Sequence, residues 1–320
     1  MKIGIDVGYG YVKAMNETGQ KISFPALVAP AGNNSLGLGE MFQHSIEYHV
    51  NIQGANYLIG EAAKQSFLAT KTLSREKPPE IHNPLLLLSA YLLSGDAPSH
   101  EIGVGLPLAY YASQKDELRE RIASIEADVS IKGQKKNIRF SKVGVYPQGA
   151  GILLSYQSML PINGYVGLID IGTYTTEYLL FETRGGQPIP ILEASGSVEA
   201  GVQMVYSSVA REFQSQTGSP LSLDMEASIA EKSFRGEPVT FNGKKYSLQD
   251  VAIRARENAA LVITQKVLSA WGNKTGHIEL TLLAGGGTLF FRQNLTGFPG
   301  QQIVPDPFFA NAKWYLGVRN

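Results

Sequence analysis

The 320-residue sequence predicts a duplicated α/β fold, two halves each built on a sheet flanked by helices, and three observations carry that prediction. Two short stretches are near copies of each other: Ile5-Asp6-Val7-Gly8-Tyr9-Gly10 and Ile169-Asp170-Ile171-Gly172-Thr173-Tyr174. Each reads as a strand entering a Gly-rich turn, followed by a return to β-type sequence (Tyr11-Val12-Lys13 and Thr175 to Leu180). The length exceeds what one core organises comfortably, so two domains are expected, with the ligand in a cleft between them. A late apolar run, residues 279–284, ends in Gly285-Gly286-Gly287, a place where a flat ligand or a phosphate can lie against bare backbone.

In chain order, residues 2–7 and 11–15 form the first hairpin, and residues 21–28 read as a third strand entering the loop 29–34. Residues 48–52 and 56–59 flank Gln53-Gly54-Ala55 as a second hairpin, so that about 20–82 reads as a small β-rich insertion. Pro84 is expected to open a helix running to Leu93, and its apolar run is far short of the ~20 residues of a membrane span. A buried strand at 101–105 precedes a helix with Leu118, Ile122 and Ile125 on one face. A hairpin over 129–140 leads to Val143-Gly144-Val145-Tyr146, where Pro147-Gln148-Gly149 turns the chain into a helix over 150–160.

The boundary between the halves, 1–162 and 163–320, falls at Pro161-Ile162-Asn163-Gly164. The second half repeats the plan with strands at 167–171, 177–182 and 189–194 and a helix over 201–213. An inserted subdomain is expected over about 215–270. It holds a helix at 223–232, a hairpin turned by Asn242-Gly243, and a long helix announced by a capping-box pattern of Ser247 and Asp250. A helix start is expected at Thr288, and residues 307–320 read as a packed helix returning towards the first half.

Lys plus Arg and Asp plus Glu both number 28, so no bulk positive field points to nucleic acid or to an acidic membrane. Hydrophobic residues make up 43% and charged residues 18%, a globular rather than a disordered composition. The absence of cysteine excludes thiolate metal sites and Cys nucleophiles and suits a reducing, cytoplasmic compartment. His44 and His49, the closest histidine pair, have no metal-ligand spacing. What remains is the pair of acidic hairpin tips: Gly leaves backbone N–H groups uncovered for phosphate oxygens, and the carboxylate can hold Mg²⁺ through its waters.

The order of these parts resembles the actin/sugar-kinase/chaperone ATPase superfamily, and in detail the bacterial actins of the ParM type. The resemblance is carried by Asp6 to Lys13, Gly105-Leu106-Pro107-Leu108, Val145 to Gly151, Asp170 to Glu177, Ala284 to Gly287 and Phe309-Ala310-Asn311-Ala312, and so spans the chain. It implies an actin-like, ribonuclease H-like fold whose two halves close on ATP or ADP (GTP as the alternative) with Mg²⁺. It also implies head-to-tail filaments that segregate plasmid DNA through a DNA-bound adaptor, with no direct nucleic-acid or membrane contact.

Carried over by position, Asp6 and Asp170 face the metal–phosphate group, and Gln148 and Asp170 are the catalytic candidates. Gly8, Tyr9 and Gly10 form the first phosphate loop with Lys13 reaching the phosphates, Gly172, Thr173 and Tyr174 form the second, and Gly285, Gly286 and Gly287 border the adenosine. Several relatives have Glu at the position of Gln148; an amide cannot take a proton and is left to orient water. Glu177 stands where many relatives have Asp. A small-metabolite kinase on the same fold and a non-polymerising nucleotide-dependent adaptor remain the alternatives.

Overall fold

The computed structural model describes residues 1–31, 48–66, 68–71 and 78–317. By internal packing the chain forms two compact units, one of Met1–Gly151 joined by the residues from Asn311 onward, the other Ile152–Ala310.

The first unit holds strands β1 (Lys2–Val7), β2 (Tyr11–Asn16), β3 (Lys21–Pro25), β4 (Leu27–Pro30), β5 (His49–Ile52), β6 (Ala55–Ile59), β7 (Thr70–Lys71), β8 (His100–Leu106), β9 (Glu126–Ile131) and β10 (Gln134–Pro147). Its helices are α1 (Pro79–Leu93), α2 (Leu108–Ala123) and the short α3 (Ala150–Leu154). Strands β3, β2 and β1 form an antiparallel meander, and β8 then β10 add in parallel on the free side of β1. The long β10 crosses a bulge between Phe140 and Lys142 and joins, through β9, the small sheet of β5, β6, β4 and β7.

Alternation along the central strands explains the two layers. Ile3 pairs with Ile102 and Ile5 with Val104, and these side chains share a buried core with Leu85, Leu86 and Leu88 of α1. Gly4 pairs with Gly103, and Gly103 with Gly144, so a row of glycines crosses the three strands. A Cβ on Gly4 would stand 2.0 Å from the Ala312 carbonyl oxygen, and one on Gly103 2.4 Å from that of Tyr315. Helix α8 (Ala310–Gly317), whose label follows the helices of the second unit, therefore lies directly on sheet backbone, which only glycine allows. Gly151 extends the seat, since its Cβ would meet the Trp314 indole.

The second unit repeats the meander with β11 (Gly164–Ile171), β12 (Thr176–Arg184) and β13 (Gln187–Pro190), with β14 (Gly196–Val198) also paired to β12. Strands β17 (Ile278–Ala284) and β18 (Gln301–Ile303) add in parallel beside β11, as β8 and β10 do beside β1. Between them lie α4 (Val202–Thr217), α5 (Leu223–Phe234), the hairpin β15 (Val239–Phe241) and β16 (Lys244–Tyr246), and α6 (Gln249–Trp271); α7 (Gly286–Phe290) follows β17. Ile169, Ile171, Leu180, Val205, Ile263 and Trp271 form its core. The Asn242-Gly243 turn has both residues at positive φ, 47° and 74°, the conformation of a two-residue hairpin.

Several expectations are corrected. Residues 21–28 are not one strand: the Ala26 N–H turns to the Gly10 carbonyl, and β3 and β4 on either side of it pair with different strands. Ala29 and Pro30, expected in a loop, lie in β4, while 32–34 fall outside the described residues, as does His44. Helix α1 begins at Pro79 rather than Pro84; Pro79 takes the first-turn position that tolerates a missing N–H, and Pro84 is accommodated inside the helix. The helix expected over 150–160 stops at Leu154 and gives way to a 3-10 turn at Gln157–Met159. The strand expected over 189–194 ends at Pro190, with a 3-10 turn at Leu192–Ala194.

The capping box is not formed, because Leu248, buried against the core, occupies the N-cap of α6 and no side chain caps it. Thr288 lies inside α7 rather than at its start, its hydroxyl donating to the Ala284 carbonyl. The terminal helix begins with a 3-10 turn at Pro307–Phe309 and continues as α8, and 318–320 lie outside the described residues. No helix among the described residues is long and apolar enough to cross a membrane.

Candidate functional site

The two acidic hairpins correspond residue for residue. In the first, Val7 pairs with Val12 and Asp6 with Lys13, and the Gly8 N–H closes the turn on the Tyr11 carbonyl at 3.1 Å. In the second, Ile171 pairs with Thr176 and Asp170 with Glu177, and the Gly172 N–H closes on the Thr175 carbonyl at 2.8 Å. Both aspartates are buried, at 4% and 7% exposure, although each sits at the open end of a strand.

They differ in what faces them. The Lys13 ammonium donates to Asp6 Oδ2 at 3.0 Å, and the Gln148 amide donates to Asp6 Oδ1 at 3.2 Å. Asp6, Lys13 and Gln148, three of the residues singled out in the sequence, are thus brought together within the first unit. Opposite Asp170 stands a second buried carboxylate, Glu177, which accepts a short hydrogen bond from the Ser197 hydroxyl. The first hairpin pairs its aspartate with a lysine, and the second sets its aspartate opposite another acidic residue.

The second tip is anchored by the start of α4. Gly172 and Thr173 direct their carbonyls at the N–H groups of Val202 and Gln203, at 3.4 and 2.7 Å. The helix N-cap is Gly201, where a Cβ would stand 2.7 Å from both of those carbonyl oxygens. In a trans peptide the C=O and the following N–H point in opposite directions, and the chain has no cis peptide bond among the described residues. The N–H groups of Thr173 and Tyr174 therefore point away from the helix, the orientation a phosphate loop needs. The Tyr174 hydroxyl reaches the Glu199 carboxylate at 3.4 Å. On the first tip, Gly10 gives its carbonyl to the Ala26 N–H, which turns the Tyr11 N–H the other way. Tyr9 and Gly10 are half-buried there.

The three late glycines pack against the second hairpin and its neighbours. A Cβ on Gly285, which sits at φ 82°, would meet Asp170 Oδ1 at 2.4 Å and the Ile171 carbonyl at 2.3 Å. One on Gly287 would meet Ile171, and one on Gly286 the Phe308 ring. The glycines thus allow the strand end to lie against the Asp170 carboxylate. Gly105, named in the sequence only as part of a motif, has a missing Cβ that leaves room for the Tyr315 hydroxyl and the Gln148 side chain, and Gly201 was not among the site candidates read from the sequence. Glycine inside a strand or at a helix start is itself a mark of close backbone approach.

The donor set suits a hydrated hard cation. Asp170 and Glu177 offer carboxylate oxygens only, and among the described residues no group of three or more His, Cys, Asp or Glu forms a protein cage. Mg²⁺ in nucleotide sites takes one or two carboxylates, keeps several waters and shares the phosphates, so these residues fit it.

Residues 4–151 match the family described as actin like proteins N terminal domain, and residues 168–297 the family described as archaeal actin homologue MreB-like, C-terminal. An archaeal actin homolog from Thermoplasma volcanium is 25% identical, with 98% of this chain and 97% of that protein aligned. Among solved structures, a 15-stranded ParM filament from Clostridium botulinum has a TM-score of 0.87 at 27% identity over 98% of this chain and 97% of that one. An archaeal actin homolog solved with ADP shares the fold at a TM-score of 0.78 and 22% identity, over 98% and 97% of the two chains. With one actin-type match in each half and the two hairpins repeating each other atom for atom in their closing bonds, the chain belongs to the actin-like ATPase family, in a fold shared with the ParM proteins.

Proposed function

We propose that this protein is a nucleotide-dependent polymerising ATPase, whose filaments move plasmid DNA through a DNA-bound adaptor in the cytoplasm. The observation that carries the proposal is the convergence of Lys13 and Gln148 on the two oxygens of Asp6 beside a glycine tip. An ionised carboxylate only accepts, so the Gln148 amide must turn its NH₂ towards Asp6 and its carbonyl away. That carbonyl is then free to accept a hydrogen bond from the attacking water and align it without taking its proton, a sufficient role where catalysis rests on orientation and electrostatics. Lys13, mostly buried beside Asp6, is the cation placed to meet the phosphates at the first tip, and the Thr173 and Tyr174 N–H groups serve them at the second. Asp170 would hold Mg²⁺ through water, with Glu177 behind it, and the ion neutralises charge on the β- and γ-phosphate oxygens. ATP is the expected nucleotide, with GTP the alternative.

Assembly is supported by the similarity to a ParM filament subunit along nearly the whole chain. A head-to-tail contact between two different surfaces does not close and generates a filament. The adaptor, rather than this chain, is proposed to meet DNA, in keeping with the balanced charge of 28 basic and 28 acidic residues.

Phosphate release measured with ATP alone and with a panel of sugars and other small hydroxyl compounds tests the reading. Free phosphate released without any acceptor is the expected result. Phosphorylated acceptor with no free phosphate would replace it by a metabolite kinase.

A further inference from the structure

We propose that Asn311 is a positioning residue for nucleotide hydrolysis, acting on Gln148 from helix α8; the inference rests on the role given to Gln148 above. The direction of a side chain is set by the two peptide planes that flank its Cα. At Gln148 each of those planes is held by one hydrogen bond. The Gln148 N–H donates to the Leu106 carbonyl at the end of β8, at 2.8 Å. The next N–H, of Gly149, donates to the side-chain oxygen of Asn311 at 3.1 Å. Gly149 is buried and sits at φ 81°, in the left-handed region that glycine adopts without strain, so neither water nor another residue type readily replaces this arrangement.

Asn311 is itself buried, at 7% exposure, and is fixed by the seat of its helix. Ala312 lies over Gly4, Tyr315 over Gly103 and Gly105, and Trp314 over Gly151. The Tyr315 ring also stacks on Tyr146 of β10, two residues before Gln148, at 6.0 Å between centroids. Gly149 and Asn311 stand beside the two places where the chain passes between its compact units, after Gly151 and before Asn311. One side-chain hydrogen bond thus ties the terminal helix to the turn that aims Gln148 at Asp6. Loss of that bond leaves the phosphate-holding tips intact and lets the amide swing, which slows the chemical step more than it weakens binding.

The test compares Asn311→Ala, Asn311→Leu and Asn311→Asp in the full chain, each with and without Gln148→Ala. Phosphate release and the affinity for a fluorescent ATP analogue are measured on the same folded samples. In the wild-type background Asn311→Ala and Asn311→Leu are expected to lower kcat by about 10- to 100-fold, with nucleotide affinity nearly unchanged. Asn311→Asp, which keeps an acceptor oxygen at the same reach, restores most of the rate. In the Gln148→Ala background the same substitutions cost nothing further, because the group they aim is already gone. If Asn311→Leu does not fold, the smaller Asn311→Ala carries the comparison.

Hydrolysis at the wild-type rate in Asn311→Ala, an equal fold-loss in both backgrounds, or affinity falling in step with rate would overturn the proposal. A wild-type rate in Gln148→Ala would instead remove the reading of Gln148 on which it stands.

Discussion

Substituting Gly103 by alanine probes the joint between the sheet and helix α8. The added Cβ would stand 2.4 Å from the Tyr315 carbonyl oxygen, 2.8 Å from its Cβ and 3.0 Å from its carbonyl carbon. These are rigid backbone neighbours, so the helix must retreat by about 1 Å to reach ordinary contact near 3.4 Å. Overpacking of this kind costs about 1–3 kcal/mol. The retreat also strains the Asn311–Gly149 bond, and a buried N–H left unsatisfied costs about 1–3 kcal/mol more. The sum, about 2–6 kcal/mol, corresponds to a fall in Tm of about 4–24 °C for a unit of this size. Gly276→Ala serves as the control: nothing lies within 4 Å of its Cβ position, and a change within about 0.5 kcal/mol is expected. Urea and thermal unfolding followed by circular dichroism read both. Equal stability of Gly103→Ala and the wild type would refute the claim that glycine is needed at Gly103 to seat α8.

Asp170→Ala is expected to abolish hydrolysis in a folded protein, since it removes the carboxylate proposed to hold the hydrated metal; undiminished turnover counts against that role. Gln148→Ala should still bind nucleotide and assemble, but release phosphate slowly and form longer-lived filaments, as loss of the γ-phosphate contacts is the expected trigger for disassembly. Phosphate release at the wild-type rate would instead leave Gln148 as part of a structural turn. His100 is buried at the start of β8, and neither ring nitrogen has a hydrogen-bond partner among the described residues. Burial first, then the positive charges of the Met1 amino group and Lys136, push its pKa below the usual histidine value. The unfolded chain therefore takes up the proton more readily, so the contribution of neutral His100 is fully present above about pH 6.5 and is lost as pH falls towards its folded-state value. Unfolding free energies from pH 8 to 5 should drop less steeply in His100→Leu than in the wild type, and parallel curves would contradict this.

What could be read from the sequence was local. The two Asp–Gly hairpins, the Gln53–Gly54 hairpin and the Asn242–Gly243 turn each announce themselves within six or so residues, because turn chemistry and alternation are short-range. Ala26 was not legible, because what breaks the run 21–28 is a carbonyl sixteen positions earlier in the hairpin tip. Pro84 misled because proline marks a helix start only when no earlier proline has taken that place.

At the site, the residues named from the motifs were the acidic and glycine tips. Their partners were hidden by distance along the chain: Gln148 meets Asp6 across 142 positions, and Asn311 meets Gly149 across 162. Gly4, Gly103 and Gly144 become a single feature only when the parallel register of β1, β8 and β10 aligns them. No local pattern states that register. The asymmetry between Lys13 and Glu177 at equivalent positions was visible as letters, and its meaning followed only when each was seen paired to its aspartate.

The central claim is that nucleotide drives assembly of this chain, and sedimentation tests it most directly. Purified protein is spun at a series of concentrations with Mg²⁺ and ATP, GTP, ADP or no nucleotide, and the pelleted fraction is compared. The account predicts that a nucleoside triphosphate produces pelletable polymer above a critical concentration, that the pellet declines as phosphate is released, and that Asp170→Ala polymer persists. Protein that stays in the supernatant with every nucleotide, at concentrations where a nucleotide is bound and hydrolysed, would contradict it.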